Sequence, residues 1–305
     1  MAIGDLHEVG AAGCEDCYYV DVGMYDTPEY GAVYLVDAER PAVVDTGMGT
    51  RYGDVLAALE RVGIAPEDLA VVAPTHVHLD HAGGAGYLAR ECPNATVYVH
   101  EIGAPHLIDP ERLVEGTKRA VGDQWEFYAE PVPVPEERVA TLADGDAIDL
   151  GDRELRVHHA PGHAPHQAVF ELPDASAVFT ADAAGIYVPA IDAVEPTTPP
   201  PNFDLERSLA DVATIESLDP DTLLYAHYGP APADDRLAAY ADLLAEWAAE
   251  VEAVRADLGD DAAVVEHFAD ATAARMGDVW GERKARAEGK LNARGVLRYL
   301  NVRDR

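Results

Sequence analysis

The chain has 305 residues, enough for one large domain with an appendage or two modest domains, and enough to bury a sizeable core. It carries 56 acidic and 22 basic residues, a net charge of −34, yet 48% of it is hydrophobic, which excludes a disordered acidic chain. Such a surface resembles that of proteins from salt-loving organisms. At molar salt the Debye length falls to roughly 3 Å, so the charge argues only weakly against an anionic or nucleic-acid partner.

The start Met1–Asp5 has no basic segment followed by an apolar core, and no apolar run approaches the roughly 20 residues needed to span a membrane. A soluble, cytoplasmic protein is expected. Three cysteines cannot form a paired framework, which fits a reducing compartment. The spacing Cys14-x-x-Cys17 can hold zinc or a redox disulfide, but it has no second cysteine pair beside it. A structural or incidental role is expected.

Residues 16–45 read as two or three strands, with Asp, Pro and Gly turns between them. Asp45-Thr46-Gly47 ends the last of these. A helix follows with Val55, Leu56, Leu59 and Val62 on one face, closing at Gly63. A buried strand at 69–74, a polar motif, a short helix at 84–90 and a strand at 96–99 come next. Residues 101–138 read as a looser helical insertion ending in the alternating prolines Pro131, Pro133 and Pro135.

The second half opens another series of strands, at 147–150, 153–159, 167–172 and 176–180. A stiff loop at 196–203 leads into a helix at 205–217, and the apolar run 222–226 ends in His227. Beyond Pro232 the chain is alanine-rich, with Leu237, Tyr240, Leu244, Trp247 and Val251 at helical spacing. Three or four helices are predicted there, packed in part by Met276 and Trp280. The division is therefore 1–231 for an α/β body and 232–305 for a helical region.

The polar motif is Thr75-His76-Val77-His78-Leu79-Asp80-His81-Ala82-Gly83-Gly84. In extended backbone His76, His78 and Asp80 point to one side, and His81 follows from the turn. Imidazole nitrogen with carboxylate oxygen is the donor set of zinc, iron and manganese sites. Three further polar residues also follow strands: His163, Asp182 and His227. One such histidine is ordinarily structural; several at equivalent strand ends point to a shared site.

This series resembles the metallo-β-lactamase superfamily, over Asp45 to Gly229. The resemblance implies a four-layer αββα sandwich of the α/β class with a two-metal site at one edge, here followed by a C-terminal helical cap. It implies that His76, His78 and His163 bind one metal, that Asp80, His81 and His227 bind a second, and that Asp182 bridges them. Asp45 would orient a ligand histidine from behind. Ala181 stands where the family usually has glycine. The helical cap resembles the layout of glyoxalase II, a thioesterase, without a match to that enzyme's glutathione-binding residues.

The implied activity is hydrolysis by a metal-bridging hydroxide, with a thioester or other small acyl compound as the expected substrate. An iron-dependent persulfide dioxygenase and a nucleic-acid phosphodiesterase are the alternatives. Two divalent ions are expected, zinc first, with iron or manganese also suited to these ligands. Asp80 is expected to orient the nucleophile and Tyr228 to donate to an oxyanion. His166 is a candidate hydrogen-bond donor, and Tyr25, Tyr187 and Phe203 are candidate cleft walls. Arg283, Lys284, Arg286, Lys290, Arg294 and Arg298 read as helix-surface partners of the acidic body, with an anion clamp as the other reading. The expected partner is a small-molecule substrate. No membrane is expected, a nucleic acid is not favoured, and a homodimer is compatible with the sequence.

Overall fold

The computed structural model describes residues 2–305. Its first sheet holds seven strands in sequence order: β1 (Leu6–Glu8), β2 (Cys17–Asp21), β3 (Ala32–Val36), β4 (Ala42–Val44), β5 (Val71–Ala73), β6 (Thr96–His100) and β7 (Val139–Leu142). β1 to β4 pair antiparallel, and β4 to β7 pair parallel. Parallel neighbours need crossovers. These are α1 (Tyr52–Arg61), then α2 (Leu79–Ala82) with α3 (Ala85–Glu91), then α4 (Ala104–Ile108) with α5 (Glu111–Val121).

The second sheet contains β8 (Ala147–Asp149), β9 (Glu154–His159), β10 (Ala168–Leu172) and β11 (Ala177–Ala181). A separate hairpin of β12 (Ile186–Val188) and β13 (Ala193–Glu195) follows. After α6 (Leu205–Ser217), the sheet is completed by β14 (Thr222–Tyr225), parallel to β11, and β15 (Gly229–Pro232). Three helices end the chain: α7 (Arg236–Leu258), α8 (Asp261–Trp280) and α9 (Glu282–Arg303).

The layers follow from side-chain alternation. In β3, Ala32, Tyr34 and Val36 face the second sheet and meet Phe170, Phe179 and Leu224, while Val33 and Leu35 face Val55, Leu59 and Leu88 of α1 and α3. Strands buried on both faces read as continuous apolar runs, which is why 69–74 and 222–226 stood out. On the outer face of the second sheet, Val169, Val178 and Leu223 pack with Val212 and Ile215 of α6 and with residues of α7, α8 and α9. This is an αββα arrangement. Each fully buried Leu or Phe contributes about 1.5–3 kcal/mol to it.

Met276 and Trp280, expected to pack the helical region, instead join the core beside the first sheet, with Trp280 edge-on to Tyr30 at 5.4 Å between centroids. β1, β7 and the β12–β13 hairpin were not anticipated. They are three or four residues long, too short for a period of two to register. No helix among the described residues is long and apolar enough to cross a membrane.

Candidate metal centre

The candidate ligands follow β5, β9, β11 and β14, and Asp45 follows β4. Running the polar segments off strands that point the same way gathers them at one edge of the sandwich. All seven come together. Their donor atoms form three clusters within 4.8 Å: His76, His78 and His163; His76, His81 and Asp182; and Asp80, His81 and His227.

Nε2 of His76 and Nε2 of His163 each stand 3.0 Å from Nδ1 of His78. One oxygen of Asp182 lies 3.2 Å from Nε2 of His163. Its other oxygen is 3.2 Å from Nε2 of His81 and 3.6 Å from Nε2 of His227. Oδ2 of Asp80 is 4.0 Å from Nε2 of His227. Asp182 therefore sits between two groups of imidazoles.

These spacings fit metal ions. Two donors held about 2.0–2.1 Å from one ion at a tetrahedral angle stand about 3.3 Å apart. Nε2 of His81 and Oδ1 of Asp182 are moreover buried with no hydrogen-bond partner, although they face each other. Buried polar atoms are otherwise satisfied almost without exception, so a converging pair left open marks a place for a cation.

Burial drives the imidazoles of His76, His78 and His163 towards the neutral form, and neighbouring imidazoles add to the effect; His78 is pushed down to about 3. Neutral rings offer the lone pairs that a metal needs. Burial alone would raise Asp182, but His163, His81 and His227 outweigh it and hold the carboxyl well below its usual range. Burial would lower His81, but Asp182 and Asp45 override it and raise its pKa.

Several of these residues are held from behind. Asp45, with φ of 59°, presents Oδ2 to Nδ1 of His81 at 3.0 Å, while its Oδ1 accepts the N–H and the hydroxyl of Thr75, both at 2.8 Å. Nδ1 of His227 donates to the carbonyl of Tyr30 at 2.8 Å. The hydroxyl of Thr197 donates to Oδ2 of Asp182 at 3.1 Å. The N–H of Gly162, one residue before His163, donates to Asp211 on α6 at 2.6 Å. Only glycine fits at 162, because a Cβ there would lie 2.3 Å from the backbone nitrogen of Ser208.

α9 reaches this scaffold as well. Its Glu288 accepts the hydroxyl of Tyr30 at 2.8 Å and the ammonium of Lys284 at 2.6 Å. Asn292 donates to Glu288 and to the carbonyl of Pro196, each at 3.0 Å, and accepts the N–H of Thr198 at 2.6 Å. The sequence reading did not single out Tyr30, Thr197, Asp211, Glu288 or Asn292. The available signal was the four-residue spacing of Lys284, Glu288 and Asn292, a polar stripe on the buried face of a helix.

Beside the cluster lies a cavity of about 580 Å³. Tyr25, Tyr30 and Tyr128 wall the side near Asp80, and the hydroxyls of Tyr25 and Tyr128 are 2.5 Å apart. His166 lines it too. Its Nδ1 accepts the N–H of Val77 at 3.4 Å, and burial together with nearby histidines pushes it down to about 2, so the ring is neutral with its proton on Nε2.

The structure places three other candidates elsewhere. Tyr228 is 1% exposed and packs between the sheets, edge-on to Tyr19 at 5.9 Å, away from the cavity. His227 and Tyr228 lie in the turn between β14 and β15, and the turn sends the two side chains to different surroundings. Phe203 packs against Tyr299, and Tyr187 stacks on Tyr225 under Arg236. Of the basic C-terminal residues, Arg283 pairs with Asp123 and Glu126, and Arg286 and Lys290 pair with Glu266. Lys284 is instead buried over the rings of Tyr25 and Tyr30. Cys14 and Cys17 are buried free thiols beside Arg153.

The profile of the metallo-beta-lactamase superfamily matches residues 26–227, and the chain belongs to that family, a family of metal-dependent hydrolases. The chain is 26% identical over 221 residues to the metallo-beta-lactamase fold-containing protein ST1585 of Sulfurisphaera tokodaii, covering 71% of this chain and 79% of that one. It is 28% identical over 188 residues to the acyl-coenzyme A thioesterase MBLAC2 of Homo sapiens, covering 54% of this chain and 62% of that protein, less than two thirds of its length. Among solved structures, a metallo-beta-lactamase family protein, TTHA1429, from Thermus thermophilus superposes with a TM-score of 0.64 at 24% identity, over 90% of this chain and 89% of that one. At that identity the likeness is one of fold.

Proposed function

We propose that this hydrolase cleaves a thioester or other small acyl substrate at a two-metal centre, with zinc as the expected ion. The observation that carries the two-ion reading is Asp182, one oxygen of which faces His163 while the other faces His81 and His227. His76, His78 and His163 would hold the first ion, and Asp80, His81 and His227 the second. When bound, such a pair of ions supplies Lewis acidity and makes water acidic near neutral pH.

The chain's own residues do the rest. Asp45, Tyr30 and Thr197 fix the rotamers of His81, His227 and Asp182, so the donor set is organised before substrate enters. Asp80 stays ionised because His81, His227 and His78 outweigh its burial. The neutral His166, protonated on Nε2, is available to donate to a substrate oxygen without adding charge. Tyr25, Tyr30, Leu79, Ile186 and Leu291 give the cavity apolar walls that exclude water from the acyl group. The likeness to an acyl-coenzyme A thioesterase supports the acyl reading without fixing the compound.

The test is metal analysis of protein purified without added metal, followed by a panel of thioesters, esters, lactams and phosphodiesters in low and molar salt. Thioester turnover with about two ions per chain is expected. Fully loaded protein that leaves thioesters and esters intact but cleaves phosphodiesters, or consumes oxygen with persulfides, overturns this reading.

A further inference from the structure

Six aspartate, glutamate, arginine or lysine residues line the cavity: Asp80, Asp182, Glu288, Arg112, Arg119 and Lys284. Asp80 and Asp182 are candidate ligands, and Lys284 and Glu288 neutralise one another at 2.6 Å. Two charges are left over, and both are cations. Both are exposed, and the guanidinium of neither Arg112 nor Arg119 makes a hydrogen bond or ion pair among the described residues. In a chain with 56 acidic residues against 22 basic, an unpaired charge on a wall is expected to be negative by more than two to one.

Both arginines lie on α5, seven residues apart, so about 10 Å separates them along the helix axis. Between them the cavity wall is formed by Leu113, Gly116 and Thr117. The helix packs against α2, which carries Asp80 and His81, and against α9. Lys118, on the same helix but outside the cavity, pairs with Glu130 at 2.9 Å. A carboxylate is thus within reach of this helix, yet none serves the guanidiniums of the two cavity-lining arginines. The planar guanidinium offers paired donors matched to carboxylate and phosphate oxygens.

We propose that Arg112 and Arg119 form a subsite for an anionic group, a phosphate or a carboxylate, on the part of the substrate remote from the scissile bond. Resting on the acyl-hydrolase reading above, this makes the substrate a thioester whose carrier or acyl tail is itself an acid. The small surface at Gly116 leaves room for a chain running along α5 from the centre to the mouth.

Binding of non-hydrolysable S-butyl thioethers tests this independently of catalysis. The probes are the thioethers of pantetheine (neutral), 4′-phosphopantetheine (phosphate) and 3-mercaptopropionate (carboxylate), titrated into metal-loaded protein at about 0.15 M salt. At least one acidic probe is expected to bind roughly tenfold or more tightly than the neutral one, and the better acid identifies the group. In Arg112→Gln/Arg119→Gln that preference disappears while the Kd of the neutral probe is unchanged, which also shows that the cavity is intact. Lys118→Gln leaves all three unchanged. Equal preference in wild type and double variant, or no preference in wild type, overturns the subsite. Hydrolysis of S-butyryl-pantetheine, S-butyryl-4′-phosphopantetheine and S-butyryl-3-mercaptopropionate is scored separately: turnover without charge preference in binding sinks the subsite alone, and charge preference without turnover of any of the three sinks the thioesterase reading alone.

Discussion

Oδ2 of Asp45 sits 3.0 Å from Nδ1 of His81, and that contact determines which nitrogen of His81 carries the proton. With a metal bound, the carboxylate would accept from Nδ1–H and leave the Nε2 lone pair for the ion. In Asp45→Asn the amide can donate instead, which moves the proton to Nε2 and blocks the ligand atom. Metal titration should show the second equivalent weakened by about 10–100-fold and the first much less. Unchanged affinity for both equivalents would show that Asp45 serves only the Thr75 turn.

Removing the ions should cost stability as well as activity. An ion bound at a hundredfold excess over its Kd stabilises the fold by about 2.7 kcal/mol, and chelation removes that term. Thermal unfolding with and without chelator should show a lower Tm in the stripped protein, restored with hydrolysis when metal is returned. His163→Ala should start from the lower Tm and respond little to chelator.

The buried pair of Lys284 and Glu288 makes a different prediction. Lys284→Met leaves a carboxylate buried without its cation and should cost about 3–5 kcal/mol in urea unfolding. The double variant Lys284→Met/Glu288→Gln should recover most of that loss, because the glutamine still accepts from Tyr30 and Asn292. If single and double variants unfold alike, the pair is not the source of the effect.

Asp211 gives a pH signature. Burial pushes its carboxyl up to about 7, opposed by the N–H of Gly162 and by Arg207, with Asp204 adding to the rise. An acid whose folded pKa is raised keeps its proton while the unfolded chain loses one. Stability therefore falls between about pH 4 and pH 7, by about 1.4 kcal/mol per unit at most, and is flat above. Asp211→Asn removes this slope, so the difference in unfolding free energy between variant and wild type should widen across that window. A pH-independent difference would contradict it.

What was legible in the sequence was whatever is local or repeats. His76, His78, Asp80 and His81 fall within six residues, and His163, Asp182 and His227 each follow a strand, so a resemblance to a known family could be drawn and a candidate ligand set named before the fold was known. The supports were not legible, because they join distant segments: Tyr30 meets Glu288 across 258 positions, and Thr198 meets Asn292 across 94. Tyr228 was misjudged for the reverse reason. Adjacency to His227 in sequence does not carry over to the site, because the two residues sit in a tight turn whose side chains go to different places. The helical region was read as a cap from its composition, whereas Glu288 and Asn292 tie it to the centre through hydrogen bonds that composition does not encode.

The place of α9 in the chain gives the centre a history. During synthesis the last of the seven candidate ligands, His227, leaves the ribosome about sixty residues before Glu288 and Asn292. All seven candidate ligands therefore precede in synthesis the helix that braces Tyr30 and the 196–198 loop. An ion bound before α9 docks would meet a site without the brace of Glu288 on Tyr30 and of Asn292 on the 196–198 loop, and α9 would then restrict the geometry around it.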